Sequence, residues 1–170
     1  VEQRFIPAMF GIFGHGNVAG LGQALQEDGG ETLTFMQPHN EQSMVHTASG
    51  FAKANRRLRT LACTSSIGPG ATNMLTGAGT ATLNRLPVLL FPSDYYITRY
   101  QGPVLQELQH PISMDVSLND AFRPMSRFFD RITRSEHLLT ALPEAMRVLT
   151  NPADTGACTI SIPQDLQAHA

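Results

Sequence analysis

Three short segments carry the side chains of this sequence best suited to ligand binding and proton transfer. They are residues 14–17 (Gly-His-Gly-Asn), 39–42 (His-Asn-Glu-Gln) and 65–73 (Ser-Ser-Ile-Gly-Pro-Gly-Ala-Thr-Asn). Each follows an apolar, strand-like run and precedes a helical pattern. Because ligands of open parallel sheets bind at the carboxyl ends of the strands, the sequence predicts that these segments meet in one site.

Glu41 is the one acidic residue within these segments. A carboxylate at this edge of the sheet, near a turn that can admit a flat ligand, is a candidate for ligand binding or proton transfer. The alternative is an ordinary first-turn glutamate that is stabilised by the helix dipole. The 67–70 turn favours the first interpretation, because its glycines permit close approach to a flat ligand and Asn73 can add an amide. A plain tight turn is the alternative for that segment.

Other site chemistries lack an essential part. Gly14-x-Gly16 suggests dinucleotide binding, but that fingerprint needs an acid at the end of the next strand, where residues 36–38 are Met-Gln-Pro. The sequence has no P-loop and no Gly-x-Ser-x-Gly elbow. His39-x-Glu41 lacks the Cys-x-x-Cys that follows it in zinc deaminases. None of these chemistries is therefore predicted.

Short apolar runs alternate with helical patterns, which predicts an α/β fold. The predicted strands are residues 8–13, 31–36, 58–65, 87–92 and 157–162. The predicted helices are residues 18–27, 40–55, 71–84 and 135–149, with Asn40 and Ser135 as N-caps, and residues 95–120 form an irregular excursion. We expect one three-layer α/β/α domain with a mainly parallel central sheet.

The composition excludes several classes of partner. The 170 residues carry a net charge of −2, which does not indicate a surface for nucleic acid or an anionic membrane. No apolar run approaches the ~20 residues of a membrane span and no signal peptide is visible, so we expect a cytoplasmic protein. Cys63 and Cys158 lie in apolar runs, and we expect both to be buried and unpaired.

Residues 40–42 and 64–73 resemble the pyrimidine-binding (Pyr) domain of acetohydroxyacid-synthase-like enzymes that depend on thiamine diphosphate. In that family a glutamate at the position of Glu41 hydrogen-bonds N1′ of the aminopyrimidine, which lets this ring deprotonate the thiazolium carbon C2. The resemblance implies that Glu41 is catalytic. It also implies that Gly14, Pro69, Gly70 and Asn73 bind the cofactor together with Glu41.

Within that superfamily, residues 10–22, 65–70 and 84–90 resemble the hydrolases that open trihydroxycyclohexane-1,2-dione to a deoxy-glucuronic acid in inositol breakdown. The 14–17 turn is the specific feature, since the synthases usually carry a Pro-Gly-Gly-type turn there. Residues 92–97 and 100–102 depart from the commonest hydrolase pattern. The Pyr domain of an acetohydroxyacid synthase or a 2-oxoacid decarboxylase, and a non-catalytic binding domain derived from the family, remain alternatives.

The resemblance places the 14–17 turn on the substrate side of the cofactor. His15 is thus a candidate for substrate contact and proton transfer. The alternative is a histidine that only hydrogen-bonds the backbone of the turn. Asn17 and Gln42 are further substrate-side candidates, with a helix cap and a helix-surface role as their alternatives. Asp94 and Arg99 could recognise a polyhydroxylated ring or form a surface ion pair.

The resemblance also implies partners that residues 1–170 do not contain. The sequence has no Gly-Asp-Gly…Asn motif for Mg²⁺ and the diphosphate, which belongs to a separate diphosphate-binding domain. Because the chain begins at Val1, we expect a fragment of a larger enzyme that has no turnover alone. The expected ligands are thiamine diphosphate, Mg²⁺ held by the other domain, and a polyhydroxylated cyclic dione. Pyr and diphosphate domains of different subunits face each other in this family, which implies a homodimer or homotetramer.

Overall fold

The computed structural model describes residues 5–97, 105–108 and 116–168. Within these residues six parallel strands form one sheet in the order β2-β1-β3-β4-β6-β5. The strands are β1 (Ala8–Ile12), β2 (Thr34–Met36), β3 (Ala62–Ser65), β4 (Val88–Asp94), β5 (Phe128–Arg131) and β6 (Ala157–Pro163). The helices are α1 (Gln23–Asp28), α2 (Glu41–Ala54), α3 (Pro69–Asn73), α4 (Leu75–Leu83), α5 (Leu138–Leu149) and α6 (Gln164–Ala168).

Helices cover both faces of this sheet, which confirms the predicted three-layer α/β/α fold. On one face α2 and α4 bury Met44, Val45 and Ala78 against the strands. On the other face α5 packs Ala145 and Leu149 into a second core. The central strands β3 and β4 are buried along their whole length, as expected of strands covered on both sides. No helix among the described residues combines the length and apolarity that crossing a membrane requires.

The register of the central strands brings their carboxyl ends level. Ile12 of β1 is paired with Ser65 of β3, and Ser65 is paired in turn with Pro92 of β4. The segments that leave these strands therefore emerge side by side. Two of the three segments singled out in the sequence, 14–17 and 65–73, are among them.

The helices α2 and α4 approach each other closely because a glycine lies at their contact. A Cβ atom on Gly77 would lie 2.5 Å from the Cβ of Val45, far inside van der Waals contact. This agrees with the small-residue composition of residues 71–84, which predicts close packing. The contact fixes α2 relative to the segment that precedes α4.

Several predicted boundaries are wrong, each for a local reason. The predicted helix over residues 71–84 starts earlier, at Pro69, and Met74 divides it into two helices. Residues 18–22 form a π turn before α1. Ser135 does not cap α5, because residues 135–137 form a 3₁₀ turn and α5 begins only at Leu138. Asn40 does cap α2, and its side chain accepts a hydrogen bond from the Ser43 amide.

The strand β5 was not predicted at all. It contains four half-buried residues at the edge of the sheet, including the adjacent charges Asp130 and Arg131. Edge strands tolerate such charges, so neither alternation nor an apolar run marks them in the sequence. Of the predicted excursion over residues 95–120, residues 98–104 and 109–115 lie outside the described residues; a 3₁₀ segment spans Leu118–Met125.

Candidate functional site

A cleft of about 630 Å³ opens at the carboxyl edge of the sheet, above the ends of β1 and β3. All three sequence segments that we expected to converge contribute to its wall. The residues from these segments that border the cleft are Gly14, Glu41, Ser66, Pro69, Gly70, Thr72 and Asn73. The topology thus brings together a carboxylate, an amide and a glycine-rich turn from parts of the chain that lie far apart in sequence.

Glu41 is the first residue of α2, and its backbone position is fixed by the cap that precedes it. The Asn40 side chain accepts a hydrogen bond from the Ser43 amide at 3.0 Å, which closes the first turn of the helix. The Glu41 carboxylate is partly buried, and its Oε2 accepts a hydrogen bond from Nδ2 of Asn73 at 2.9 Å. Helix start and side-chain partner together hold this carboxylate in the cleft.

The turn before α3 lies directly against the Glu41 carboxylate. Gly68 has φ +65°, a backbone conformation that favours glycine, and Pro69 occupies the first helical position, where its fixed φ is suitable. A Cβ on Gly70 would lie 3.2 Å from Oε1 of Glu41. The absence of a side chain at Gly70 therefore leaves space beside the carboxylate.

The glycines of the 14–17 turn are needed for packing against the end of β3. A Cβ on Gly14 would lie 2.6 Å from Oγ of Ser66, and a Cβ on Gly16 would lie 2.7 Å from Cγ2 of Ile67. The Gly16 amide also donates a hydrogen bond to Oγ of Ser66 at 3.4 Å. These contacts explain the Gly-x-Gly pattern without a dinucleotide.

Asn17 is fully buried and ties this turn to two strands. Its Oδ1 accepts from the Gly14 amide at 2.9 Å, and its Nδ2 donates to the Ile12 carbonyl at 3.3 Å and to Oγ1 of Thr64 at 3.2 Å. The expected helix cap is wrong, because the Asn17 side chain makes no capping hydrogen bond to the π turn. The Asn17 side chain thus stabilises the turn. Its role on the substrate side stays a prediction.

The two other substrate-side candidates lie beside the cleft and do not border it. His15 is half-buried in the 14–17 turn, and its Nε2 is buried without a hydrogen-bond partner. Gln42 is half-buried at the second position of α2. An unpartnered buried nitrogen is unusual in a folded protein, which marks His15 as the more informative of the two.

Asp94 belongs to a buried polar network and not to a surface ion pair. Its carboxylate accepts hydrogen bonds from Ser117 at 2.8 Å, from Ser161 at 3.1 Å and from Nε of Arg131 at 2.5 Å. Asp94 is 1% exposed, so the expectation of a surface pair is wrong, and Arg99 lies outside the described residues. Sequence reasoning missed this network because its cation lies on the unpredicted strand β5.

Ser66 and Gln106 border the cleft although neither was singled out as a site residue. Ser66 lies within the 65–73 segment, so its place in that segment, two residues before Gly68, was the available signal. Gln106 has a positive φ of 63°, and a Cβ on Gly68 would clash with the Gln106 carbonyl oxygen. No pattern in the sequence predicts that contact.

Both cysteines are buried and unpaired, as predicted. Burial raises the pKa of Cys158 to about 12 and also raises the pKa of the Cys63 thiol. Neither thiol is thus a nucleophile near neutral pH. The described residues contain no group of three or more His, Cys, Asp or Glu side chains that could hold a metal ion.

Comparison with known proteins agrees with this geometry. Residues 2–115 match the family described as "Thiamine pyrophosphate enzyme, N-terminal TPP binding domain". The chain is 56% identical over 169 residues to the 3D-(3,5/4)-trihydroxycyclohexane-1,2-dione hydrolases of Bacillus thuringiensis (strain Al Hakam) and Bacillus cereus (strain 03BB102), and 55% identical to that of Bacillus anthracis. These alignments include 99% of this chain and 26% of each relative, so the chain spans about a quarter of their length.

The family match covers well over half of the chain and includes all three segments that border the cleft. It confirms the resemblance that residues 40–42 and 64–73 indicate. The high identity to the dione hydrolases confirms the narrower resemblance carried by residues 10–22 and 84–90. This chain therefore belongs to the thiamine pyrophosphate enzymes, of which it carries the N-terminal TPP binding domain.

Proposed function

We propose that the cleft beside Glu41 binds the aminopyrimidine ring of thiamine diphosphate, in an enzyme that hydrolyses a C–C bond of a cyclic 1,2-dione. The observation that supports this most is the Glu41 carboxylate, which Asn73 holds next to the open space over Gly70. A first-turn glutamate that served only the helix dipole would need neither the amide partner nor the missing side chain.

The residues present suit a flat heteroaromatic ring. The apolar side chains of Ile12 and Phe13 border one part of the cleft, and the Pro69–Gly70 turn borders another. A side chain at Gly70 would fill the space at Oε1 of Glu41. The cleft thus combines apolar walls with one carboxylate, which matches a ring that is apolar on its faces and basic at a nitrogen on its edge.

Each residue of the cleft has a separate task in this proposal. When bound, thiamine diphosphate supplies a nucleophilic thiazolium carbon and an electron sink. Glu41 shares a proton with the ring nitrogen N1′, which is the proton transfer that prepares the cofactor. Gly70 and Pro69 let the ring lie flat beside that carboxylate, and Asn73 holds the carboxylate in place through its hydrogen bond. Gly14 allows the 14–17 turn to close over the end of β3.

The substrate proposal rests on the relatives. They are named as hydrolases of trihydroxycyclohexane-1,2-dione, and the chain matches them over nearly its whole length. The proposed net reaction adds one water across the bond between the two carbonyl carbons, so that one carbon becomes a carboxylate and the other gains hydrogen. His15, with its unpartnered Nε2, is our candidate for proton transfer to the substrate, and Gln42 is a candidate for substrate contact.

The remaining parts of the enzyme are proposals of the same kind. Mg²⁺ and the diphosphate would be bound by a domain outside these 170 residues, because the described residues offer no cluster of metal ligands. We further propose that this domain faces the diphosphate domain of another subunit in a homodimer or homotetramer. A cytoplasmic location is also proposed, and two buried, unpaired cysteines agree with it.

The experiment that tests the substrate proposal compares two substrate classes on the full-length protein. We expect consumption of trihydroxycyclohexane-1,2-dione that requires thiamine diphosphate and Mg²⁺, with little consumption of pyruvate. Efficient turnover of pyruvate with the dione left intact would replace this proposal with a synthase or a decarboxylase. If the cofactor binds but neither substrate is consumed, the protein is either a non-catalytic binding protein or an enzyme that acts on another substrate.

A further inference from the structure

The two oxygens of the Glu41 carboxylate have different surroundings. Oε2 accepts the hydrogen bond from Nδ2 of Asn73 at 2.9 Å. Oε1 lies 3.2 Å from the point that a Cβ on Gly70 would occupy, at the border of the cleft. Asn73 is the one hydrogen-bond donor to this carboxylate within the described residues. One oxygen is therefore anchored while the other faces open space.

We infer that Asn73 is a positioning residue, which anchors Oε2 and thereby directs Oε1 at the ring nitrogen of the cofactor. This inference rests on the proposed function of Glu41 and assigns separate tasks to its two oxygens. A glutamate side chain has several rotatable bonds, and ordering them on binding weakens affinity. An anchor that is present before the cofactor arrives removes much of that loss.

An amide is well suited to this task. Its N–H group donates a hydrogen bond to a carboxylate but does not ionise near neutral pH, so it does not transfer its proton to that carboxylate. The proton that Glu41 shares with the cofactor therefore passes between Oε1 and the ring nitrogen and is not drawn to the Oε2 side. A carboxylic acid or a histidine in place of Asn73 would compete for that proton.

The backbone around Asn73 is rigid enough to act as an anchor. Asn73 is the last residue of α3, and the next residue, Met74, is fully buried. The chain then enters α4, which contacts α2 tightly through Gly77 and Val45. The helix that carries Glu41 and the segment that carries Asn73 are thus held in one packed unit.

The test uses the full-length protein and two ligands: thiamine diphosphate, and an analogue in which a C–H group replaces N1′. The dissociation constant of the analogue divided by that of thiamine diphosphate measures the contact between Oε1 and the ring nitrogen; a high ratio means a strong contact. We expect Asn73→Leu, which removes the donor at similar volume, to lower this ratio about tenfold or more at every pH. Asn84→Leu, at an exposed asparagine after α4 whose side chain donates to the Thr80 carbonyl, is the matched control and should leave the ratio unchanged.

A second variant gives a pH dependence that a structural role does not produce. Asn73→Asp keeps the shape of the side chain but places two carboxyl groups at hydrogen-bonding distance, and such a pair does not readily ionise at both groups. We expect the ratio to be low near pH 8 and to recover toward pH 5, where a proton on the introduced carboxyl group again provides a donor to Oε2. Equal weakening of both ligands at all pH values would overturn the inference.

Glu41→Gln separates this inference from the proposed function. If Glu41→Gln abolishes the preference for thiamine diphosphate over the analogue while Asn73→Leu keeps it, Asn73 is not a positioning residue and the role of Glu41 stands. If Glu41→Gln itself retains the preference, both proposals fail. Urea unfolding of each variant identifies any that is misfolded, and Asn73→Asp, which is nearly isosteric, keeps the inference testable in that case.

Discussion

The replacement Gly70→Ala separates the stability of the domain from its proposed function. Gly70 lies within α3 and has no positive φ, so alanine fits its backbone. Because alanine is favoured over glycine in a helix by about 1 kcal/mol, the free energy of unfolding should stay equal or rise slightly. The new methyl group, however, would lie 3.2 Å from Oε1 of Glu41, in the space proposed for the pyrimidine ring.

The size of the functional effect follows from that contact. The carboxylate must move by a few tenths of an ångström, and the ring must shift as well. Losing a hydrogen bond to a charged group costs about 1.5–3 kcal/mol, which corresponds to about a ten- to hundredfold weaker affinity for thiamine diphosphate. Titration calorimetry on the full-length protein measures this affinity, and urea unfolding measures stability.

The matched control is Gly50→Ala in α2. Gly50 is exposed, and a Cβ there would meet nothing within 4 Å. This change should stabilise the domain by about 1 kcal/mol and leave cofactor affinity unchanged. If Gly70→Ala binds thiamine diphosphate as tightly as the parent protein does, the space over Oε1 is not the ring site and the reasoning is refuted.

Three further predictions concern buried groups. Asn17→Ala removes three hydrogen bonds and should lower the free energy of unfolding by roughly 2–4 kcal/mol in urea titrations; a loss under 0.5 kcal/mol would contradict its role in the turn. Asp94→Asn leaves the guanidinium of Arg131 without its counter-charge and should cost about 3 kcal/mol by the same assay. Burial raises the pKa of Cys158 to about 12 and also raises that of Cys63, so both thiols should react with iodoacetamide at pH 8 only after unfolding. Mass spectrometry measures this labelling, and rapid labelling of the native protein would contradict the prediction.

The sequence alone was sufficient to predict which segments border the cleft. Each of the 14–17, 39–42 and 65–73 segments leads from a strand into a helix, and parallel strands place such segments at one edge. The assignment of Glu41 to the first turn of α2 followed from Asn40, whose capping role is visible in the local pattern. These features depend on local periodicity and turn residues, which a single sequence records.

The features that were missed depend on contacts between distant residues. The hydrogen bond from Asn73 to Glu41 joins residues 32 positions apart, and no local pattern in the sequence predicts it. The strand β5 is recognisable only when β6 is present to pair with it. The capping role expected of Asn17 failed because its amide finds better partners on β1 and β3 than on the helix that follows.

The most direct test of the central claim is turnover by the full-length protein with Glu41→Gln. The matched control is Glu144→Gln, at an exposed glutamate of α5 whose partner is the exposed Arg147. We predict that consumption of trihydroxycyclohexane-1,2-dione, followed with saturating thiamine diphosphate and Mg²⁺, falls at least a hundredfold in Glu41→Gln and stays at the parental rate in Glu144→Gln. If Glu41→Gln turns over the dione as fast as the parent protein, Glu41 is only a helix-start glutamate and the account is wrong.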